Sequence, residues 1–137
     1  MVLIKEKMLR ISKLADYACL IMGIFAQQNI NLPSATEISS QLKLGLPTVR
    51  KILQLLARAN ILTASRGVSG GYQLAKSPKD ISLLEIVEAV DGKLALTDCC
   101  TSTNCQIIQQ CQGQSGWRQI NEVVAQALRD KKLVDFK

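Results

Sequence analysis

Three cysteines, Cys99, Cys105 and Cys111, are the residues whose type and spacing point most directly to chemistry. Five residues separate each neighbouring pair, and all three fall in a polar stretch rich in Gln, Ser and Thr that shows no helical or strand period. Thiolates on such a loop are the favoured ligands of iron–sulfur clusters. Structural zinc usually takes closer cysteine pairs, often with histidine, and the chain has no histidine. The spacing therefore favours a cluster over zinc, and scattered cysteines without a metal stay an open alternative.

The two other cysteines have different interpretations. Cys100 directly follows Cys99, and two adjacent cysteines do not comfortably ligate one cluster, so we treat Cys100 as a spare or redox-active thiol. Cys19 falls inside a predicted helix, where a small buried hydrophobe is its simplest role. Three cysteines leave a four-ligand cluster one ligand short, and a carboxylate, an exogenous ligand or Cys100 must fill that place. An incomplete ligand set makes a cluster labile, which suits a sensor better than an electron carrier.

Composition and charge indicate what this stretch is attached to. The chain has 137 residues, 47% apolar and only 4% aromatic, which fits one compact domain with an aliphatic and mainly helical core. Residues 1–80 carry 11 Lys and Arg against 4 Asp and Glu, whereas residues 81–137 carry 6 against 7. A basic first half predicts a module that binds nucleic acid, although a basic solvated surface is the plain alternative.

No secretory signal and no stretch of transmembrane length is visible, because Lys5-Glu6-Lys7 interrupts the short apolar run at residues 2–4. We therefore expect a cytoplasmic protein without a membrane partner. In that compartment cysteines are reduced thiols, metal ligands or redox groups rather than disulfides.

Periodicity and turn residues predict three helices, a hairpin, a fourth helix, the irregular cysteine stretch and a long final helix. Their approximate ranges are 12–28, 34–42, from 47 onward, 61–65 with 72–75, 81–90, 94–114 and 115–131. The apolar stripe predicted for the first helix consists of Ile11, Leu14, Ala18, Ile21 and Phe25.

Individual residues define the second helix, the turn and the third helix more closely. Ser34 and Glu37 have the spacing of a capping box at the start of the second helix. Gly45 is free to take a positive φ in the turn that follows, and Pro47 suits the first position of the third helix. The third helix should bury Val49, Ile52, Leu53 and Leu56.

Helix, tight turn, helix and glycine-rich hairpin form the order of a winged helix-turn-helix, in which the second helix enters the DNA major groove. Arg50 would pair with guanine or clamp a phosphate, Gln54 would read adenine, and Arg66 would lie against the backbone or in the minor groove. Solvent-facing charges and a plain turn are the alternatives. The candidate DNA contacts are Ser34, Thr36, Pro47, Thr48, Arg50, Lys51, Gln54, Arg66, Gly67, Ser69, Gly70, Gly71 and Tyr72.

Five segments carry a resemblance to a known family: LRISKLADYA at 9–18, LGLPTV at 44–49, RGVSGGY at 66–72, ALTDC at 95–99 and GWRQIN at 116–121. On these segments the chain resembles the bacterial winged-helix iron–sulfur regulators that include IscR and NsrR. Within that family it looks most like regulators of the SUF iron–sulfur assembly operon. The resemblance covers residues 9–136.

The resemblance implies a [2Fe-2S] or [4Fe-4S] cluster on Cys99, Cys105 and Cys111, which an aerobic preparation could lose. It implies DNA contacts from the 47–54 helix and the 66–72 wing on a palindromic duplex operator. It also implies a homodimer in which the final helix crosses its partner, and the apolar positions assigned to this contact are Trp117, Ile120, Val124 and Ala127.

The fourth cluster ligand departs from part of the family. IscR-like members have a histidine three residues after the last cysteine, and the chain has Gln114 there. NsrR-like members use an aspartate from the first helix of the other subunit, which matches Asp16. The resemblance therefore makes Asp16 a candidate ligand across the dimer, with a solvated or capping carboxylate as the alternative.

The expected fold is mainly α, a winged helix-turn-helix with a two-stranded wing and a long C-terminal dimerisation helix. The expected parts are a tail at 1–9, the DNA-binding domain at 10–92, the cysteine loop at 93–114, and the dimerisation helix and tail at 115–137. The expected function is a transcription regulator, repressor or activator, that senses cluster or redox status and controls iron–sulfur assembly genes. Alternatives are a cluster-free thiol-sensing repressor and a protein-interaction adaptor. No catalytic constellation or phosphate-cradling loop suggests an enzyme.

Overall fold

The computed structural model describes residues 10–27, 32–65, 71–97, 100 and 113–136. Within these ranges the chain forms five α-helices, one two-stranded antiparallel sheet and a final 3₁₀ turn, which confirms the mainly helical winged fold. The elements are α1 (Lys13–Gln27), α2 (Ala35–Leu42), α3 (Leu46–Arg58), β1 (Leu62–Ser65), β2 (Gly71–Leu74), α4 (Leu83–Asp91), α5 (Gln114–Asp130) and the 3₁₀ turn (Leu133–Asp135).

Helix α1 is the centre of the core, since it packs against α3, α4, β2 and the 3₁₀ turn. Its predicted stripe is buried at Ala18, Ile21 and Phe25, with Leu14 half-buried. Ile11 is a correction, because its side chain is 51% exposed. It precedes the first helical residue, where the helical period no longer fixes its direction. Ser12 caps the helix instead, its Oγ accepting the Ala15 N–H at 3.0 Å.

The helix-turn-helix consists of α2 and α3. The predicted capping box is present, because Ser34 Oγ accepts the Glu37 N–H and the Glu37 carboxylate accepts the Ser34 N–H, both at 3.2 Å. The left-handed residue of the turn is Lys43, with φ 56°, and not Gly45, whose φ of −59° is ordinary. Gly45 is instead the N-cap of α3, so Pro47 occupies the second helical position, where its missing N–H costs nothing.

The wing is formed by β1 and β2, which pair in a register that places Leu62 opposite Leu74 and Ser65 opposite Gly71. Leu62 is buried and ties the wing to the core. A Cβ added to Gly71 would lie 3.2 Å from the carbonyl oxygen of Pro33, in the chain just before α2. The base of the wing therefore lies closely against the start of the helix-turn-helix. The hairpin tip, residues 66–70, lies outside the described residues.

The chain after α5 returns to the core, which the sequence did not predict. Leu133 is fully buried, and its N–H donates to the Ile81 carbonyl at 2.8 Å. The Leu83 N–H donates to the Lys131 carbonyl at 2.9 Å, and Ser82 and Lys132 form an isolated antiparallel bridge. The end of the described chain therefore closes the core over the start of α4. No helix in the described ranges combines the length and apolar content needed to cross a bilayer.

We expect Leu133→Ala to lower the free energy of unfolding by about 2–5 kcal/mol, because it leaves a cavity at a fully buried site. The neighbouring Val134 is 41% exposed, so Val134→Ala is the matched control and should change stability by roughly 0.5 kcal/mol or less. Urea denaturation measures both values. Equal midpoint shifts for the two variants would contradict the packing of the 3₁₀ turn.

Candidate functional site

Helix α3 separates an apolar face from a polar one. Val49, Ile52, Leu53 and Leu56 are all fully buried, as the period predicted. Pro47, Arg50, Lys51 and Gln54 are exposed, and Thr48 is half-buried. Arg58 is exposed at the last turn, and α3 contains no acidic residue. The helix thus presents cations and one amide to solvent from a rigid, fully anchored element, as a groove-reading helix must.

The exposed face of α3 continues into the wing. Arg50 and Gln54 line one cleft with Ser65 and Tyr72 of the wing and with Ala35 at the start of α2. Tyr72 is half-buried against the core, so its ring supports the cleft as well as lining it. This arrangement brings the candidate contacts on α3 and on the strands together on one side of the molecule.

Of the remaining DNA-contact candidates, three lie within the described residues and four lie outside them. Thr36 is exposed at the start of α2, beside the cleft, whereas the Ser34 hydroxyl is engaged in the capping box. Gly71 is half-buried at the base of the wing. Arg66, Gly67, Ser69 and Gly70 lie outside the described residues, and their contact with DNA stays a prediction.

The beginning of the cysteine segment is fixed by side chains from two helices. The Leu94 N–H donates to Glu88 Oε2 of α4 at 2.9 Å. Asn121 of α5 donates from Nδ2 to the Leu94 carbonyl at 3.2 Å and accepts the Leu96 N–H on Oδ1 at 2.8 Å. We name this pair of contacts from Asn121 to Leu94 and Leu96 the amide clip. Sequence reasoning missed Asn121, since nothing local signals a bond across 25 to 27 residues. It also missed Glu88, which lies only six residues before its partner Leu94.

The segment then runs along α5 towards the start of that helix. The half-buried Cys100 lies with its Sγ 3.4 Å from Thr97 Oγ1 and 3.7 Å from the carbonyl oxygen of Trp117. The Trp117 N–H donates to the Gly113 carbonyl at 3.0 Å. The residues on either side of the 101–112 stretch, which contains Cys105 and Cys111, therefore both contact Trp117.

The predicted cluster ligands are placed only in part. Cys99, Cys105 and Cys111 lie outside the described residues. Among the residues that the structure does describe, no group of three or more His, Cys, Asp or Glu side chains is arranged to hold a metal ion. The ligand set therefore stays a prediction.

Asp16 is exposed in the first turn of α1 and lines a depression with Arg10, Ser12 and Lys13. The Ser12 hydroxyl donates to the Asp91 carboxylate at 2.7 Å, at the end of α4. Asp91 precedes the amide clip by only three residues, at Leu94. The candidate fourth ligand thus lies at the same end of the core as the beginning of the cysteine segment.

Cys19 has the structural role that was predicted. Burial raises the pKa of its thiol to about 11, with a smaller part of that rise due to the nearby Asp16 carboxylate. At neutral pH Cys19 is therefore a neutral thiol inside α1, with neither the charge of a metal ligand nor that of a nucleophile.

Helix α5 is held to the core by one side and exposed on another. Ala125 is buried and Val124 and Leu128 are half-buried, whereas Ala127 is exposed. Trp117 and Ile120 are 46% and 48% exposed, and Val123 is 69% exposed. An apolar face of this size on a polar helix indicates a contact surface.

Comparison with known proteins identifies the family of the chain and its function. Residues 11–137 match the Rrf2 family, described as iron-dependent transcriptional regulators. The chain belongs to the Rrf2 family. It is accordingly a DNA-binding transcription regulator of the winged-helix type, as the basic first half and the order of helices and hairpin predicted, and its relatives are regulators rather than enzymes.

Two relatives show the extent of the likeness. An HTH-type regulator of Synechocystis is 30% identical over 116 residues, which are 85% of this chain and 78% of that protein. An rrf2-like HTH-type regulator of Rhodobacter capsulatus is 36% identical over 75 residues, 55% of this chain. That match spans about half, 49%, of the Rhodobacter protein.

Solved structures show the same fold. CymR, the global cysteine regulator of B. subtilis, has a TM-score of 0.71 at 20% identity, with 93% of this chain and 95% of that chain covered. IscR of T. potens has a TM-score of 0.68 at 23% identity, with 93% of this chain and 85% of that chain covered. At these identities the likeness concerns the fold alone.

We expect Arg50→Ala to weaken binding to an operator duplex, selected from a random library, by about 1–3 kcal/mol. The control is Arg129→Ala, which removes the same charge from the last turn of α5. Fluorescence anisotropy at several salt concentrations measures both. If Arg50 contacts a base, the preference at one operator position should also relax. Equal effects of the two variants would contradict the assignment of the groove-reading face.

Proposed function

We propose that the protein is a homodimeric regulator whose affinity for DNA depends on an iron–sulfur cluster held by Cys99, Cys105 and Cys111. The partner subunit's Asp16 completes the ligand set of a [2Fe-2S] or [4Fe-4S] cluster. The observation that carries the proposal is the position of the cysteine stretch. Its two flanks both lie at the first turn of α5, because Gly113 is the N-cap of that helix and the Cys100 thiol contacts the Trp117 carbonyl.

The chemistry of this position fits a cluster. Cys105 and Cys111 belong to a stretch whose ends lie at the first turn of α5, and Cys99 directly precedes that stretch. The partial positive charge of a helix N-terminus favours thiolates. Gly113, the N-cap of α5, has no side chain with which to satisfy the first-turn N–H groups. When bound, the cluster would supply a reversible redox state and a reversible loss of ligands. The protein residues hold the sulfurs and transmit their arrangement to α5.

The apolar face of α5 fits a second copy of the chain. Trp117, Ile120 and Val123 project from a helix whose other side is anchored on α4 by Ala125. A two-fold axis along this face would bury these side chains against their own copies, as in other symmetric dimers. A shared ligand additionally requires that this axis bring the first turn of α1 of one subunit towards the cysteine stretch of its partner.

Two such subunits suit a palindromic operator. Each α3 would read one half-site, and half-sites one helical turn apart require the two helices to lie about 34–36 Å apart. A change in the angle between two α5 helices alters that spacing without altering any base contact. A coupling of about 1–3 kcal/mol is enough for a useful switch.

The target genes follow only from the resemblance. Regulators of the SUF type would control iron–sulfur assembly genes, which gives the cluster a feedback role. We also propose a cytoplasmic location, as expected of a regulator similar to these bacterial proteins. A protein-interaction adaptor is disfavoured, because the exposed surface of α3 is cationic and the relatives are transcription regulators.

A second candidate function is a cluster-free thiol sensor. One support is Cys100, whose thiol is half-exposed beside the Trp117 carbonyl. The other is the similarity of the fold to that of CymR, which is a cysteine regulator. In this alternative, oxidation of a thiol near α5 would change the angle between the two α5 helices of the dimer. Iron content separates the two candidates, because only the first requires metal.

Anaerobic reconstitution with iron and sulfide tests the proposal. We expect wild-type protein to become brown with visible absorbance and to change its affinity for DNA at least about fivefold. Replacement of Cys99, Cys105 and Cys111 by serine should abolish both effects. Protein that takes up no iron without air would contradict the cluster, and would leave the thiol sensor as the explanation.

Asp16→Ala tests the fourth ligand. Removing a carboxylate ligand should shorten the lifetime of the cluster in air by about 10–100-fold, the range seen when metal sites lose a supporting group. The control is Asp80→Ala, at an exposed turn before α4. The decay of visible absorbance measures both. An unchanged spectrum and lifetime in Asp16→Ala would overturn the role of Asp16, while the three-cysteine site would stand.

A further inference from the structure

We propose that Asn121 is a positioning residue that couples the cysteine segment to α5, so that the amide clip transmits the state of the cluster to the dimer helix. The inference rests on the proposed function and concerns its regulation. It adds a residue that neither ligates the cluster nor contacts DNA.

The geometry of the amide clip is that of a peptide group in a sheet. In an extended chain the carbonyl of one residue and the N–H two residues later point to the same side. Asn121 meets this pattern with its own carbonyl and amine, at 2.8 Å to the Leu96 N–H and 3.2 Å to the Leu94 carbonyl. An amide suits this position because its donor and its acceptor are two separate atoms, one for each backbone group.

The second anchor makes the clip a link between helices. Glu88 of α4 accepts the N–H of Leu94, while Asn121 donates to the carbonyl of the same residue. Leu94 is therefore held by α4 on one side and by α5 on the other. Helix α4 also packs against α3, the groove-reading helix. A shift of the segment at Leu94 thus acts at once on the DNA-binding core and on the dimer helix.

The amide clip also lies close, along α5, to the contact of the Cys100 thiol with that helix. Asn121 is one helical turn after Trp117, whose carbonyl contacts the Cys100 thiol. Cys99 lies in sequence between the clip at Leu96 and this contact. A ligand bond to Cys99 therefore pulls on a stretch with only two residues between it and the clip. A short, fixed connection of this kind transmits a displacement, whereas a long loop absorbs it.

The first test uses cluster-free protein. In C99S/C105S/C111S the remaining thiols are Cys100 and the buried, neutral Cys19, so a disulfide reagent reports on Cys100. We expect Asn121→Ala in this background to raise the reaction rate of Cys100 by about five- to a hundredfold, the factor for losing two hydrogen bonds to a half-buried segment. Asn121→Asp keeps the acceptor but loses the donor, and should give a smaller rise.

The matched control is Gln119→Ala, which removes an exposed amide from the same helix two residues earlier. It should leave the rate within about twofold of its parent, since surface substitutions are nearly neutral. Circular dichroism and thermal unfolding verify that each variant is folded. If Asn121→Ala does not fold, the nearly isosteric Asn121→Asp carries the test. An unchanged Cys100 rate in a folded Asn121 variant would overturn the clip as an anchor.

The second test uses loaded and cluster-free forms with all cysteines in place. The readout is the ratio of DNA affinities between the two forms. We expect Asn121→Ala to bring this ratio close to one while visible absorbance after reconstitution persists, and Gln119→Ala to keep the wild-type ratio. A wild-type ratio in Asn121→Ala would overturn the inference and leave the cluster function intact. Absence of iron in wild-type protein would instead overturn the proposed function itself, independently of the Cys100 rates.

Discussion

The packing of α1 against α4 is the constraint on which the other parts of the molecule depend. Ala15 and Ala18 are fully buried, and such small side chains allow two helices to approach closely. The approach brings Ser12 within 2.7 Å of Asp91, so the start of α1 meets the end of α4. The same face carries Ile21 and Met22 into the core that supports α3. One helix pair therefore fixes both the groove-reading surface and the origin of the cysteine segment.

This arrangement separates the two functions of the chain while keeping them mechanically connected. Arg50 and Gln54 of α3 share one cleft with Ser65 and Tyr72 of the wing, and the anchors of the cysteine segment lie at the end of α4 and along α5. Helix α4 contacts both α3 and α5. A packed helix is poor at absorbing strain, so a local change at its end becomes a rigid displacement.

The sequence predicted what is local and missed what is long-range. The stripe of α1 beyond Ile11, the buried face of α3 and the capping box follow from spacing within one turn or a few, and all were correct. The left-handed turn residue was placed at Gly45 because glycine is the default there, yet Lys43 adopts it at the helix end. Nothing in the sequence predicted the burial of Leu133, since a three-residue 3₁₀ turn is too short to show a period. Nothing predicted the hydrogen bonds of Asn121 either, because its partners are remote in sequence.

The exposed face of α5 shows where local prediction reaches its limit for the site. The spacing of Trp117, Ile120, Val124 and Ala127 predicted an apolar face on the last helix, but it could not distinguish a core face from an interface. In the protomer Trp117 and Ile120 stay about half exposed, while Ala125 provides the buried contact with the core. A helix that is anchored by one side and apolar on another needs a second surface to cover it. Asn121 fastens Leu94 and Leu96 to this same helix, so the surface that covers the apolar face would also bear on the start of the cysteine segment. In the proposed homodimer a two-fold copy would be that surface, and a rearrangement at the cysteines would then be shared by both subunits.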